Sequence, residues 1–382
     1  MNFVCAHLGD IHLEEDHYFA DTAQCLKWFV ADAIQAHTNL FVVNGDLTTY
    51  KATIRERNVW VDRLIEMANH APVLLTAGNH GAELDDDLYV LAKAKATHPI
   101  FLRTNPEFIE LDDVAIAVFA YPRKAEFAAA TEENKLTKAF AGQLDEFNRR
   151  FAALPDSYRL FFGHFGVAGA KVSSGQPLVG RCAEYPLDPL RDLQAQYVGL
   201  SHIHLRQQLA PRVWYAGSLS RCDYSELEDK GYHLVTLSEP VLKPDLSDVD
   251  VQFRVSPTRS MVELQAVYEN GEFHFKNAPD PARLNDARVK LVVTVAKGLH
   301  ASLSREEQAK LREQLLKAQP AELKLKIEHE PESSIEIAPL SLAKTAEDKL
   351  RAYWALKGDP PVERQDRLLA MLAQIESSVL AR

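Results

Sequence analysis

The sequence predicts a layered α/β fold, and three observations predict it. Apolar runs of strand length recur along residues 1–240. Several of them end in a turn that carries aspartate, asparagine or histidine. Between them lie stretches whose apolar residues fall at helical spacing. The run that organises the rest is Leu40 to Val43, in NLFVVNGDLTT, which stops at Asn44-Gly45-Asp46. A short β-branched and aromatic run closed by a glycine turn reads as a strand buried on both faces. Asp46 then stands just past its carboxyl end, where open α/β sheets place their ligands.

In chain order, MNFVCAHLGDIH ends in Asp10 and His12, LFVVNGD in Asp46, and APVLLTAGNH in Asn79 and His80. RLFFGHF ends in His164, and QYVGLSHIH in His202 and His204. Ala20 to Ala36 and Asn58 to Ala68 read as helices, while Val114 to Ala120, Val213 to Ala216 and Tyr232 to Leu237 read as further strands of the same sandwich. Pro240 to Pro257 is polar and proline-bearing and reads as a linker. Beyond it, Met261 to Tyr268, Val289 to Ala296 and Leu323 to Glu328 look like strands. A capping box, Ser304-Arg-Glu-Glu307, opens a helix reaching about Ala318. Two helical patterns follow, Leu342 to Lys357 and Val362 to Leu380. The expected organisation is a main domain over 1–240, a small α+β domain over 258–335, and C-terminal helices over 340–382.

Composition narrows the classes. Apolar residues make up 46% of the 382 and charged residues 25%, as in an ordinary globular chain. No stretch reads as a membrane span, and MNFVCAHLGD lacks a basic region followed by an apolar run, so a cytoplasmic location is expected. Four scattered cysteines without CxxC spacing suit reduced thiols better than disulfides or a zinc site. The net charge of −11 means that any nucleic-acid binding must rest on local patches, metal ions or a partner.

Singly the strand-end motifs are weak, because a lone histidine is more often structural and GD is an ordinary turn. Together, Asp10-x-His12, Gly45-Asp46, Gly78-Asn79-His80, Gly163-His164 and His202-x-His204 stand in order at five predicted strand ends. Oxygen and imidazole donors without thiolate suit manganese, iron, magnesium or zinc in a hydrolytic site. One carboxylate shared by two ions holds them about 3.5–4 Å apart, the separation used in phosphoryl hydrolysis.

This series resembles that of the calcineurin-like metallophosphoesterases. More narrowly, HFGVAGAKVSSGQPLVG, YVGLSHIHLRQ and WYAGSLSRCDYSELEDKGYHLVTL are similar to the SbcD-type nuclease subunits, over roughly residues 1–270. The shared features include Gly217-Ser218, an acidic residue at Glu226 or Glu228, and Lys230-Gly231. The resemblance implies a four-layer β-sandwich flanked by helices, with a small α+β capping domain and C-terminal helices. It implies two divalent ions, foremost manganese: Asp10, His12, Asp46 and His204 hold one, and Asp46, Asn79, His164 and His202 the other. His80 sits beside the scissile phosphate and stabilises charge or protonates the leaving oxygen. Three positions depart from the pattern. Gly81 replaces an aspartate, Ser201 a glycine, and Gly9 a serine.

The implied function is a DNA exonuclease and endonuclease working with an SbcC-like coiled-coil ATPase in DNA repair and recombination. Arg181, Arg206, Arg212 and Arg221 flank the metal loops as candidate phosphate contacts, and Tyr121-Pro-Arg-Lys124 follows a strand nearby. Two apolar stripes, from Leu342 to Trp354 and from Leu368 to Val379, fit docking on such an ATPase. The resemblance also implies a homodimer through the nuclease domain. Two other classes remain open. One is a small-molecule phosphodiesterase or phosphatase with a lid domain. The other is a scaffold subunit with a weakened site, motivated by Gly81.

Overall fold

The computed structural model describes residues 2–80, 95–122, 133–173, 184–240, 248–269, 271–295, 304–329, 345–357, 361 and 364–372. The elements in order are β1 (Phe3–Leu8), α1 (Phe19–Gln35), β2 (Leu40–Asn44), α2 (Ile54–Ala68), β3 (Val73–Thr76), β4 (Ile100–Arg103), β5 (Glu107–Leu111), β6 (Val114–Phe119), α3 (Glu133–Ala152), β7 (Tyr158–His164), β8 (Gly166–Val167), β9 (Glu184–Tyr185), α4 (Asp188–Arg191) and β10 (Tyr197–Ser201). They continue as β11 (Gln207–Ala210), β12 (Val213–Tyr215), β13 (Gly231–Leu237), β14 (Val249–Val255), β15 (Met261–Glu269), β16 (Glu272–Phe275), α5 (Pro281–Leu284), β17 (Arg288–Val295), α6 (Arg305–Leu316), β18 (Glu322–His329) and α7 (Ala346–Lys357).

Two six-stranded sheets make the sandwich, ordered β14-β13-β1-β2-β3-β4 and β11-β12-β10-β7-β6-β5. In the first, β1 to β4 run parallel; in the second, β12, β10, β7 and β6 do. Strand chemistry explains the layering. Along β2, Leu40 and Val42 join the cluster between the sheets, with Phe162, Leu160, Tyr197 and Ile116. Phe41 and Val43 face the other way, onto α1 and α2 through Phe29, Leu26, Trp60 and Leu64. The outer face of the second sheet packs on Phe140, Leu144, Phe147 and Phe151 of α3 and Leu190 of α4. The result is helix, sheet, sheet, helix, the four-layer arrangement expected from the sequence. Helix α2 opens on a capping box in which Thr53 and Glu56 satisfy each other's backbone N–H groups.

One expectation is corrected. Pro240 to Pro257, read as a linker, contains β14, paired antiparallel to β13 along its length from Gly231↔Val255 to Leu237↔Val249. The letters VDVQFRV alternate as a half-buried strand should; the flanking prolines and acids masked that signal.

The chain divides into two compact units, Met1–Leu264 with Pro279–Lys290 and Lys310–Lys324, and Gln265–Ala278 with Leu291–Ala309 and Leu325–Arg382. A four-stranded sheet of order β16-β15-β17-β18 follows the sandwich in sequence. The capping box at Ser304 and Glu307 forms as read. Of the C-terminal stripes, α7 and residues 364–372 are helical, with Trp354 buried and Tyr353 exposed. Leu342, Ile375 and Val379 lie outside the described residues.

Candidate metal centre

The parallel strands β1, β2, β3, β7 and β10 end on the same side of the sandwich, and the loops there carry the predicted residues. Backbone strain marks the place. Asp10, His12 and Asp46 have φ of 51°, 48° and 52°, and His202 95°. Non-glycine residues in that region cost about 1–3 kcal/mol each and cluster at functional sites. Gly45, at φ 80°, also has no room for a side chain, because a Cβ there would stand 2.1 Å from Nδ1 of His164.

All seven predicted metal residues and His80 meet here. Asp10, His12 and His204 form one group whose donor atoms lie within 4.8 Å of one another, and Asp46, His164 and His202 form another. Asp46 belongs as well to a group with His12 and His80, so its carboxylate faces both sets. Asp46 Oδ2 is 3.2 Å from His164 Nε2 and 3.8 Å from His12 Nε2. Asn79 Oδ1 accepts from His164 Nε2 at 3.1 Å and from His202 Nδ1 at 2.7 Å. Asp10 accepts the His202 backbone N–H at 3.0 Å. His204 Nε2 faces His12 Nε2 at 3.1 Å.

The arrangement fits a pair of divalent ions. Metal–ligand bonds of about 2.1 Å place neighbouring corners of an octahedron about 3 Å apart, and the facing donor atoms here are separated by 2.7 to 3.2 Å. His204 Nδ1 is 2.7 Å from Glu226 Oε1, which orients the ring so that Nε2 faces His12. Burial also pushes His12 down to about 3, with His204 adding to the effect, so the ring is neutral and able to coordinate. His202 is likewise pushed to about 3 by burial and by His164. Two carboxylates, an amide oxygen and imidazoles make a hard to borderline donor set.

In the ion-free chain Asp46 and His164 pair. Burial opposes charge on His164, but Asp46 outweighs it and raises the imidazole to about 9. Burial likewise opposes charge on Asp46, and His164 holds its carboxyl well below the usual range. Asp10 is pushed up by burial, against the pull of His164 and His204.

His80 sits at the rim. Its Nδ1 donates to the Thr49 carbonyl at 2.9 Å, and its backbone N–H donates to Asp46 Oδ1 at 3.0 Å. That leaves Nε2, 3.9 Å from Asp46 Oδ2, as the ring atom without a bond to the main chain. A cavity of about 330 Å³ opens beside it, lined by His12, His17, Tyr18, Thr49, His80 and His204 among others. His17 and Tyr18 carried no strand-end signal, because they lie in the loop between β1 and α1. Tyr121 does face the site, with its ring 5.6 Å from that of His202.

The candidate phosphate contacts fare differently. Arg221 lines the cavity, yet its guanidinium donates to the carbonyls of Glu226, Glu228 and Arg259. Arg212 donates to the carbonyls of Arg191, Leu193 and Ala195. Both brace the main chain in this structure. Arg206 is exposed and stacks on Phe253 at 4.3 Å. Arg181, Gly81, Arg123 and Lys124 lie outside the described residues.

A carboxylate and histidine centre that fits two ions, set on a four-layer sandwich, is that of a metal-dependent phosphoester hydrolase. The chain belongs to the calcineurin-like phosphoesterases, whose family pattern it matches over residues 3–206. Among solved structures it is similar to TT1561 of Thermus thermophilus, at 12% identity over 66% of this chain and 99% of that one, with a TM-score of 0.39. GAP50, the anchor in the inner membrane complex of Plasmodium, aligns at 14% identity over 85% of this chain and 96% of that one, with a TM-score of 0.39. A dimetal phosphatase from Danio rerio aligns at 10% identity over 66% and 96%, with a TM-score of 0.41. No curated protein matches the chain. No helix among the described residues is long and apolar enough to cross a membrane.

Proposed function

We propose that this chain is the nuclease subunit of an SbcCD-type complex, hydrolysing DNA phosphodiesters with two manganese ions. The observation that carries the reading is the convergence of Asp10, His12, Asp46, Asn79, His164, His202 and His204 on facing donor sets. It is joined by the SbcD-like segments that supply His164, His202, His204 and Glu226. Asp10, His12 and His204 would hold one ion, Asn79, His164 and His202 the other, and Asp46 both. When bound, such ions neutralise the phosphoryl oxygens and lower the pKa of water. The chain supplies the rest. Asp46 fixes the His80 backbone, Thr49 fixes its ring, and Nε2 offers a proton to the leaving oxygen.

In this reading the nuclease domain, expected over 1–240, runs on through β14 to Val255, and 258–335 is a cap that shapes the DNA path. The helices of 340–382 dock on a coiled-coil ATPase that helps an acidic chain hold DNA. The complex is cytoplasmic, and the subunit forms a homodimer.

One observation favours a second reading, a small-molecule phosphodiesterase or phosphatase. Arg212 and Arg221 are spent on main-chain carbonyls, and the cavity beside His80 holds about 330 Å³, room for a single nucleotide-sized group. Digestion of labelled single-stranded, duplex and hairpin DNA with manganese decides between the two. Cleavage that falls about 10²–10⁴-fold in His80→Ala supports the nuclease. Turnover of cyclic nucleotides or nitrophenyl esters far above that of DNA, with and without the ATPase, overturns it.

A further inference from the structure

Asn44 is fully buried two residues before the shared aspartate, and its bonds reach four of the strands around the site. Its amide nitrogen donates to the Gly163 carbonyl at 3.0 Å, to the Gly199 carbonyl at 3.4 Å and to His7 Nε2 at 3.2 Å. Its amide oxygen accepts the Thr76 hydroxyl at 2.6 Å. Its backbone carbonyl accepts His164 Nδ1 at 2.9 Å. One residue of β2 thus bonds to β1 and β3 in its own sheet and to β7 and β10 in the facing sheet.

The bonds beyond His7 fix the amide's orientation. His7 Nε2 accepts from Asn44, so the proton of the neutral ring is on Nδ1, which donates to the Tyr197 hydroxyl at 2.9 Å. That hydroxyl then donates to His233 Nδ1 at 2.9 Å. Burial holds both imidazoles well below their ordinary value, so both are neutral. All four side chains are fully or almost fully buried. A flipped Asn44 would set its oxygen against His7 Nε2 and two carbonyls, and would leave the Thr76 hydroxyl without an acceptor. Buried mismatches of that kind make the network's geometry unique.

We propose that Asn44 is a positioning residue for one of the two ion sites, the one built from Asn79, His164 and His202. Three of the four strands it grips, β3, β7 and β10, lead to those three residues, Asn79 and His202 in the loops after β3 and β10 and His164 as the last residue of β7. Its own carbonyl sets the ring of His164, leaving Nε2 to face Asp46 and Asn79. The rings of His12 and His204 are held elsewhere, by Thr49 and Glu226. The inference rests on the two-ion reading of the centre and is independent of the DNA substrate.

The test is calorimetric titration of the full chain with manganese, comparing wild type, Thr76→Val, Thr76→Ser and Asn44→Ala, with near-ultraviolet circular dichroism to verify folding. Wild type binds two ions. Thr76→Val, close to isosteric, keeps one binding step unchanged and weakens the other about 10–100-fold, as loss of groups that orient a ligand does. Thr76→Ser, which retains the hydroxyl, restores it. Asn44→Ala shows the larger loss in the same step; should it fail to fold, the Thr76 pair decides alone. Folded variants that bind both ions like wild type, or that weaken both steps equally, overturn the proposal. A wild-type chain with a single step overturns the two-ion reading itself and the proposal with it.

Discussion

The Cβ that Gly9 lacks would stand 2.0 Å from Ser201 Oγ and 2.7 Å from Ser201 Cβ. The two residues face each other where β1 and β10 deliver Asp10 and His202 to the centre. The resemblance seen in the sequence implies serine at the first position and glycine at the second, and this chain has the reverse. The space accommodates one hydroxymethyl group, and here it comes from the other strand. Two departures that look independent in the sequence meet in one space. Gly9→Ser alone overpacks a buried site and costs about 1–3 kcal/mol. Gly9→Ser with Ser201→Gly recovers most of that loss, which denaturant unfolding of the two single variants and the double would record. Strictly additive losses would sink the explanation.

The same pair shows what the sequence discloses. Each of Asp10, Asp46, Asn79, His164, His202 and His204 follows an apolar run, so a strand and its carboxyl end are readable one strand at a time. Parallel order then brings those ends together, and the motifs needed no contact information to be found. What lies between strands was not readable. Gly9 and Ser201 are far apart in the chain, and Asn44 meets Gly163 and Gly199 only because the two sheets face each other. His17 and Tyr18 line the cavity through the path of an irregular loop, for which no periodicity exists. Strand β14 was legible in the alternation of VDVQFRV but was outweighed by the prolines around it. Arg212 and Arg221 show the converse, since a charge next to a motif says nothing about which carbonyls will claim it.

Glu226 positions His204. It is buried, accepts from His204 Nδ1 at 2.7 Å and from the Cys222 backbone N–H at 2.8 Å, and pairs with the buried Lys230 Nζ at 3.1 Å. Burial works against its charge, yet the bond from His204 holds the carboxyl at about 2. A carboxylate behind a coordinating histidine fixes the ring and raises its basicity. Glu226→Ala should weaken the ion held by Asp10, His12 and His204 about 10–100-fold and leave the other alone, the reverse of the pattern expected for Asn44→Ala. Manganese titration of the two variants side by side reads the difference.

The Asp46 and His164 pair sets the pH dependence of the ion-free chain. His164 is raised from 6.5 to about 9, so its share of stability is complete below pH 6.5 and is lost as pH rises through 9. Asp46 is lowered, so its share is present above its ordinary value of 3.8 and is lost on further acidification. Melting temperature in chelator should therefore be highest near pH 6.5 and fall as pH climbs toward 9. It should also fall on acidification, because His12 and His202, held at about 3 and neutral in the fold, take up protons in the unfolded chain. Ions compete with the His164 proton, so manganese affinity should rise over the same interval and binding at neutral pH should release a proton. Titrations in two buffers of different ionisation enthalpy measure that release, and a value of zero contradicts the pairing.

Sharing of Asp46 can be separated from simple proximity. Asp46 lies within reach of both His12 and His164, at 3.8 and 3.2 Å, closer to His164 than Asp10 is at 4.0 Å. Asn79 Oδ1 meets His164 and His202, which belong to the same set. Asp46→Asn keeps the shape of the side chain and removes the charge that two cations would divide, so both binding steps should weaken together. Asn79→Ala removes one neutral oxygen from one set, so a single step should weaken and the other persist. The ion-free forms should differ as well. Asp46→Asn leaves His164 buried without its counter-charge, its imidazole loses the proton it holds at neutral pH, and the fall in melting temperature between pH 6.5 and 9 should flatten. Asn79→Ala leaves that fall in place. If Asp46→Asn weakened one step alone, the carboxylate would belong to one ion, and the centre would be two neighbouring sites without a common ligand.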